Sequence, residues 1–291
     1  MASLQPIEPV KLDESDPQLC RILYSDEYKH TIGTVLALLR DKEYSPRALE
    51  WTSKAIDLLA SHYTLWSYRF DIVCAIDYDL WEELEWCEQI ALENEKNYQI
   101  WNYRQLIIEK ICKKETFDPH HELPILAAML QEDPKNHHVW SYRKWLVEHF
   151  DMHNDVRELD FVDSCLSSDV LNNSAWTHRF FLKFAAGANN MVANSEIEYV
   201  CRKIKELPQN PAAWNYLLGI YARVGRDLSD LESFCNQFYP EEELVRSTYA
   251  MEVLARIWKV SDPGRSHNMY MRLAETYDPI RANYWRFCAQ Q

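Results

Sequence analysis

Apolar residues recur along this chain in steps of three and four, in a pattern that returns five times. Each copy contains a tryptophan, with mostly apolar residues seventeen, fourteen and ten positions before it and an aliphatic residue six positions after it. Steps of three and four place side chains on one face of an α-helix. The pattern therefore predicts two helices in each copy, one before the tryptophan and one that carries it.

Each tryptophan opens a short motif, and the tryptophans lie 35, 39, 36 and 38 residues apart. A fixed period in this range is typical of repeat proteins. In four copies an arginine follows three positions later, on the same helix face. We expect this arginine to pair with a carboxylate of a neighbouring repeat and to stack on an aromatic ring. The motifs are Trp66-Ser67-Tyr68-Arg69, Trp101-Asn102-Tyr103-Arg104, Trp140-Ser141-Tyr142-Arg143, Trp176-Thr177-His178-Arg179 and Trp214-Asn215-Tyr216-Leu217.

Polar residues at two further positions predict where the helices begin. An asparagine lies four positions before the tryptophan in four copies, and asparagine caps helix N-termini by accepting a hydrogen bond from an unpaired backbone amide. An acidic residue sixteen positions before the tryptophan, as at Glu85, predicts the first turn of the first helix. The predicted caps are Asn97, Asn136, Asn172 and Asn210, with His62 in the first copy.

These signals predict an all-α protein of stacked helical hairpin repeats. Stacked hairpins bury a core that one hairpin could not bury alone. Only five glycines occur among 291 residues, which agrees with this class. We expect a flexible N-terminal arm at 1–18 and one repeat domain at 19–291. The repeats are centred on Trp66, Trp101, Trp140, Trp176 and Trp214, with a closing helix at Trp285.

Charge and composition exclude several functions. The net charge of −14 argues against nucleic-acid binding, which needs a basic surface. No stretch approaches the roughly 20 apolar residues of a membrane span, and the first residues lack the apolar core of a signal peptide. Eight cysteines without a close pair indicate a reducing compartment, so we expect a cytoplasmic protein. His149 and His153 have the spacing of a metal pair but no third ligand beside them, so we predict no metal site in this chain.

Lysines precede two of the predicted caps. Lys96 and Lys135 each lie immediately before the asparagine, and helix N-termini favour phosphates. Tyr63, Tyr98 and His137 each lie three positions before a tryptophan and are expected along the same edge. These residues therefore predict an anion-binding edge. The alternative, which stays open at this point, is that the lysines are ordinary solvated loop residues and the aromatic residues only pack.

These repeats resemble those of the α subunit of protein prenyltransferases, over nearly the whole chain. The final segment looks like the closing helix of the α subunit that farnesyltransferase and type I geranylgeranyltransferase share. The segments that carry the resemblance are Ser45-Pro46-Arg47-Ala48-Leu49, His62-Tyr63-Thr64-Leu65-Trp66, Lys96-Asn97-Tyr98-Gln99, Asn172-Asn173-Ser174-Ala175-Trp176, Ala213-Trp214-Asn215-Tyr216-Leu217 and Asp278-Pro279-Ile280-Arg281-Ala282-Asn283-Tyr284-Trp285-Arg286.

The resemblance implies a right-handed superhelical crescent of these hairpins, similar to tetratricopeptide repeats. It also implies an enzyme that is active only as a heterodimer with a β subunit. Such enzymes transfer a farnesyl or geranylgeranyl group from its diphosphate to the cysteine of a C-terminal Cys-a-a-X box, as in Ras and Rho GTPases. It further implies Zn²⁺ bound by the β subunit and Mg²⁺ accompanying the diphosphate in farnesyl transfer. Which isoprenoid is transferred, and whether one or two β subunits are served, is left open because the β subunit decides it.

The resemblance also assigns roles to residues of this chain. It implies two catalytic residues: Lys96 touches the departing diphosphate, and Tyr98 lines the entrance for the isoprenoid diphosphate. The implied substrate-binding residues are Gln99, which hydrogen-bonds the carboxylate of the peptide, together with Tyr63, Asn136, His137 and His138. At 137 many relatives have tyrosine, so an imidazole replaces a phenol there.

Two alternatives remain. One is the α subunit of the Rab-specific geranylgeranyltransferase, which shares the repeats; the Tyr284-Trp285 ending and the Ile22-Leu23-Tyr24 lead-in favour the first reading over it. The other is a non-catalytic scaffold of tetratricopeptide type, whose usual period is about 34 residues. Its helix contacts use glycine and alanine, which does not fit the Trp-x-x-Arg motif.

Overall fold

The computed structural model of this chain describes residues 6–11, 19–20, 22–187, 189–239 and 246–291. Regular structure within these ranges is helical, with no strand, so the predicted all-α class is confirmed. The α-helices are α1 (Asp26–Arg40), α2 (Pro46–Leu58), α3 (Tyr63–Ala75), α4 (Leu80–Glu93), α5 (Gln99–Cys112), α6 (Leu123–Glu132), α7 (His137–His149), α8 (Val156–Ser168), α9 (Asn173–Phe184), α10 (Asn190–Glu206), α11 (Pro211–Val224), α12 (Glu232–Asn236), α13 (Thr248–Ser261), α14 (Pro263–Arg272) and α15 (Ala282–Gln290).

The chain divides into two compact units, Met1–Leu146 and Val147–Gln291. The first holds α1 to α6 and most of α7, and the second holds α8 to α15. The single domain expected at 19–291 stays a prediction. Of the expected arm, residues 1–5 and 12–18 lie outside the described part of the chain.

The described part of that arm, residues 6–11, contacts α1 through backbone atoms. The amide of Val10 donates to the carbonyl of Gly33 over 2.9 Å. A Cβ atom at Gly33 would lie 2.5 Å from the carbonyl oxygen of Val10. Only glycine therefore allows this close approach.

The five predicted hairpins are present as α2–α3, α4–α5, α6–α7, α8–α9 and α10–α11. In α4 the predicted apolar face, Leu84, Cys87 and Ala91, is buried. The expected first-turn position of the acidic residue is wrong. α4 begins at Leu80 because Asp79 caps it, so Glu85 lies in the second turn.

The predicted asparagine caps are confirmed in three repeats. Oδ1 of Asn172 accepts from the amides of Ser174 and Ala175 over 3.0 and 3.3 Å, and Asn136 and Asn210 cap α7 and α11 in the same way. In the second repeat α5 begins one residue later than predicted. There Oδ1 of Asn97 still accepts from the amide of Gln99 over 2.8 Å. His62 makes no side-chain cap bond, so the prediction fails in the first copy.

Four of the repeated tryptophans tie the second helix of their repeat to its own turn. The indole N–H of Trp66 donates to the carbonyl of Ala60 over 2.7 Å. The same bond, to the carbonyl six residues earlier, joins Trp140 to Pro134, Trp176 to Val170 and Trp214 to Pro208. A tryptophan at this position therefore satisfies a buried indole nitrogen and a turn carbonyl together.

Three of the repeated arginines, Arg69, Arg104 and Arg179, bind carboxylates of the next repeat, as predicted. Nε and Nη2 of Arg104 donate to the two carboxylate oxygens of Glu122 over 2.6 and 2.9 Å, and the hydroxyl of Tyr142 donates to the same carboxylate over 2.7 Å. Both charged side chains are fully buried. We call this arrangement the carboxylate bridge. Among the described contacts, this arrangement occurs at Arg69–Glu83–Tyr103, Arg104–Glu122–Tyr142 and Arg179–Glu196–Tyr216.

The predicted aromatic stacking is present in two of these bridges. The guanidinium of Arg69 lies 3.5 Å from the ring centre of Trp86, and that of Arg179 lies 3.8 Å from that of Tyr199. The aromatic residue lies three positions after the bridge glutamate in both cases. It therefore covers the arginine from the helix that supplies the carboxylate.

The bridge shifts the acid–base equilibria of its members. Burial alone would raise the pKa of Glu122, but a hydrogen bond from His121 and the charge of Arg104 lower it to about 2. Burial would lower the pKa of Arg104, and Glu122 raises it instead. Burial and then the carboxylate raise the pKa of Tyr142. The bridge is therefore a fixed ion pair with a neutral phenol donor at neutral pH.

Candidate functional site

The predicted site residues lie at the starts of the second helices of the first three repeats. Tyr63 is the first residue of α3, Tyr98 precedes α5 and His137 is the first residue of α7. These three side chains are exposed, with Tyr63 and Tyr98 at 72% and 60%. We call the set Tyr63, Lys96, Tyr98, His137 and His138 the rim.

The ammonium of Lys96 pairs with the carboxylate of Asp133, at the C-terminal end of α6. The lysine side chain is 73% exposed and that of Asp133 is 25% exposed. The hydrogen bond from Lys96 lowers the pKa of Asp133. The pair joins the turn of the second repeat to that of the third. Sequence reasoning missed Asp133, because the position seven residues before the tryptophan holds no constant residue among the five copies.

Two histidines and a tyrosine cluster beside this pair. The ring centres of Tyr98 and His138 lie 6.4 Å apart in a stacked arrangement, and those of His137 and His138 lie 3.9 Å apart. Burial lowers the pKa of His138, and the charges of His137 and Lys96 lower it further. The neutral imidazole of His138 is therefore favoured near neutral pH.

Gln99 is buried between the first two repeats, at 8% exposure. Its Nε2 donates to the carbonyl of Ser61 over 2.7 Å. Nδ2 of Asn97 donates to the adjacent carbonyl of Ala60 over 2.6 Å. The two amides therefore bind the turn of the first repeat to the start of α5.

Asn136 is buried and bonds backbone atoms on both sides. Its Oδ1 accepts from the amides of His138 and Val139, and its Nδ2 donates to the carbonyl of Glu95 over 2.8 Å. Its observed role is thus to hold the start of α7 against the turn of the second repeat. Its predicted contact with substrate stays a prediction.

A groove of about 680 Å³ runs between the turn after α2 and the turn after α4. Lys96, Tyr98 and Gln99 line it. The other charged groups of its lining are acidic: Asp57, Glu93 and Glu95. Burial and then Glu93 raise the pKa of Asp57.

Within the described residues, no group of three or more histidine, cysteine, aspartate or glutamate side chains is arranged to hold a metal ion. No helix in the same ranges has the length and apolarity to cross a membrane.

Comparison with known proteins identifies the repeat. The protein prenyltransferase alpha subunit repeat matches residues 45–76, 80–111, 119–150 and 155–182, which span the first four hairpins. The fifth hairpin, recognised here from Trp214, lies outside the matched segments.

Several relatives match along nearly the whole chain. The protein farnesyltransferase/geranylgeranyltransferase type-1 subunit alpha of Candida albicans is 51% identical, over 97% of this chain and 94% of the relative. The protein of the same name from Dictyostelium discoideum is 31% identical, over 97% of this chain and 89% of the relative. The geranylgeranyl transferase type-2 subunit alpha of Saccharomyces cerevisiae is 24% identical, over 66% of this chain and 63% of the relative.

A solved structure, Candida albicans protein geranylgeranyltransferase-I complexed with GGPP, contains a chain with the same fold. That chain superposes with a TM-score of 0.95 and 49% sequence identity, covering 100% of this chain and 99% of that chain. The predicted repeat fold is therefore confirmed.

Proposed function

Because this chain belongs to the family of protein prenyltransferase α subunits, we propose that it serves as the α subunit of a heterodimeric protein farnesyltransferase/geranylgeranyltransferase type-1. The observation that carries this conclusion is the 51% identity to the type-1 subunit along 97% of the chain. The type-2 relative shares less than half of that identity over a shorter stretch. The type-1 assignment is therefore favoured over the Rab-specific alternative.

The reaction joins an isoprenoid to a cysteine of a protein substrate. The bond between C1 of the farnesyl or geranylgeranyl group and its diphosphate oxygen breaks, and a thioether bond to the cysteine sulfur forms. Diphosphate leaves, and the thiol loses its proton. The solved relative complexed with GGPP supports an isoprenoid diphosphate as one substrate. Cys-a-a-X proteins, including Ras and Rho GTPases, are the proposed acceptors.

The metals belong to other parts of the assembly. We assign Zn²⁺ to the β subunit, where it would hold the thiolate of the acceptor cysteine, and Mg²⁺ to the diphosphate in farnesyl transfer. This chain is proposed to contribute hydrogen-bond donors and cations.

Lys96 is the proposed electrostatic catalyst. Negative charge grows on the diphosphate oxygens as the bond to carbon breaks, and a positioned cation stabilises that charge more in the transition state than in the ground state. Its side chain is 73% exposed in the turn that precedes α5, where an anion can reach it. The pairing with Asp133 is an exposed contact, which a more highly charged diphosphate can displace.

Tyr98, His137 and His138 are proposed to supply neighbouring donors. The phenol of Tyr98 and the neutral imidazole of His138 can each donate one hydrogen bond to a diphosphate oxygen. The imidazole of His137 takes the place of the tyrosine in many relatives. Its contact becomes stronger when the ring is protonated, because a charged donor binds an anion more tightly.

Gln99, Asn136 and Tyr63 are proposed to act on the peptide side of the site. Nε2 of Gln99 carries two hydrogens and uses one on Ser61, which leaves a second for the carboxylate of the Cys-a-a-X box. Asn136 contributes by holding the start of α7. Tyr63 offers an exposed ring at the corresponding position of the first repeat.

The test is single-turnover kinetics of the Lys96→Ala variant, assembled with its β subunit and followed by rapid quench. We expect the rate of prenyl transfer to fall by roughly 10²–10³, the scale of one lost oxyanion donor. The affinity for the isoprenoid diphosphate should change much less, because the contact tightens as the bond breaks. Lys135→Ala, one repeat along, should have a milder effect.

Lys114→Ala provides the matched control, because this lysine also pairs across repeats, with Asp77, outside the rim. It should leave the transfer rate unchanged. An unchanged rate in Lys96→Ala, or equal losses of rate and binding, would reduce Lys96 to an ordinary surface lysine.

A further inference from the structure

Two exposed ion pairs join neighbouring repeats in the first unit, at different places. Lys96 pairs with Asp133, between the second and third repeats. Lys114 pairs with Asp77 over 2.6 Å, between the first and second repeats. The partners are 37 residues apart in both pairs. Only the first pair includes a rim residue.

The two members of the first pair differ in how firmly they are held. The amide of Asp133 donates to the carbonyl of Met129 over 3.0 Å, and its own carbonyl accepts from the amide of Asn136 over 3.0 Å. Its carboxylate also accepts from the amide of Lys135 over 3.4 Å. Lys96 instead projects a flexible stem that is 73% exposed. When the pair breaks, the ammonium moves and the carboxylate stays.

We propose that Asp133 is a positioning residue that holds the ammonium of Lys96 until a diphosphate displaces it, and takes the ammonium back when diphosphate leaves. This inference rests on the proposed function of the rim. A diphosphate carries more negative charge than one carboxylate, so the ammonium of Lys96 pairs with the diphosphate while it is bound. Each diphosphate that binds must break the ion pair between Lys96 and Asp133. Asp133 therefore lowers the affinity of the rim for diphosphate and speeds the dissociation of diphosphate.

The contact can be weighed from its exposure. An exposed ion pair contributes at most about 1 kcal/mol, which corresponds to about fivefold in affinity. Removing the competitor should therefore tighten diphosphate binding by up to about fivefold. The gain should shrink as ionic strength rises, because salt already weakens the pair in the wild type.

The experiment measures inhibition by inorganic pyrophosphate, using the heterodimer assembled with its β subunit. In Asp133→Asn the inhibition constant should fall by about threefold to fivefold at low salt. Asparagine keeps an oxygen that accepts from the amide of Lys135, so the turn is preserved. Equal melting temperatures of variant and wild type will verify the fold.

Two further variants isolate the cause. Asp77→Asn removes the same charge from the matched pair and should leave inhibition unchanged. In the Lys96→Ala background, Asp133→Asn should not change the inhibition constant, because the ammonium for which Asp133 and pyrophosphate compete is absent. A fall of the inhibition constant that persists in that background, or that Asp77→Asn reproduces, would overturn the holding role.

The outcomes also separate this inference from the function on which it rests. If Lys96→Ala slows prenyl transfer but Asp133→Asn leaves pyrophosphate inhibition at the wild-type value, only the inference fails. If Lys96→Ala leaves prenyl transfer unchanged, the proposed role of the rim fails and takes the inference with it.

Discussion

Two ion pairs connect the second and third repeats, and their surroundings differ sharply. Arg104 and Glu122 are both 0% exposed, with two hydrogen bonds between them and a third from Tyr142. Lys96 and Asp133 are 73% and 25% exposed. The first pair has close equivalents at the interfaces of other repeats, Arg69–Glu83 and Arg179–Glu196.

The difference separates charges that build the fold from charges that are available to ligands. Stacked repeats bury equivalent surfaces, so a side chain that pairs a buried carboxylate at one interface can do so at another. The guanidinium fork suits that buried role because it satisfies both oxygens of a carboxylate. An exposed charge on a flexible lysine has no buried partner to satisfy and stays within reach of solvent and ligands. Exposed charges are therefore where ligand contacts are sought.

The largest expected effect is on the buried pair. Arg104→Ala leaves Glu122 without its partner inside the protein, which typically costs about 3–5 kcal/mol. If this chain of 291 residues unfolds as one unit, the melting temperature should fall by about 5–8 °C. Arg104→Lys keeps the charge but loses the guanidinium fork, so its melting temperature should lie between those of the wild type and Arg104→Ala. A variant that melts like the wild type but loses turnover would move Arg104 from the fold to the site.

Acid should weaken the same bridge. The pKa of Glu122 is lowered from 4.5 to about 2 in the folded protein, so its contribution is fully present above pH 4.5 and is lost as pH falls toward 2. The difference corresponds to about 3 kcal/mol. Measured by denaturant unfolding across this window, the wild type should lose more stability than Glu122→Gln. Parallel curves for the two proteins would show that the bridge does not carry this pH dependence.

The smallest expected effect on stability is at the exposed pair. Lys96→Ala should change the free energy of unfolding by less than about 1 kcal/mol, because solvent screens the contact with Asp133. Calorimetry of the assembled variant is the measurement, with Lys114→Ala beside it. A loss as large as that of Arg104→Ala would place Lys96 among the structural charges and end the contrast between the two pairs.

Much of the repeat was predictable because it is local. The hairpins follow from apolar residues at helical spacing, and three of the five cap predictions hold because a cap needs only its own next residues. The prediction that the repeat arginine pairs with a carboxylate of a neighbouring repeat is confirmed for Arg69, Arg104 and Arg179. Its partner glutamate was missed, although glutamate recurs eighteen positions before the tryptophan at Glu83, Glu122, Glu158 and Glu196. This recurring glutamate, and not the acidic residue two positions later, marks the buried partner.

The candidate site was predictable only in part. Family resemblance marked Lys96, Tyr98 and Gln99, but their contacts come from other repeats. The carbonyl that binds Gln99 belongs to Ser61, and the carboxylate that binds Lys96 belongs to Asp133. Neither position stands out in the sequence, because serine and aspartate are ordinary residues in turns.

The sequence by itself determined the helical class, the five-fold repeat, the family and the residues worth testing, since spacing along one helix needs no tertiary information. Only the tertiary structure decided which carboxylate each cation binds. The separations are 14, 18 and 17 residues for the bridge pairs and 37 for Lys96 and Asp133. Residues this far apart in sequence meet because the folded chain brings neighbouring repeats together across turns of unequal length. How deeply each pair is buried between the repeats then sets how far its charges are removed from water.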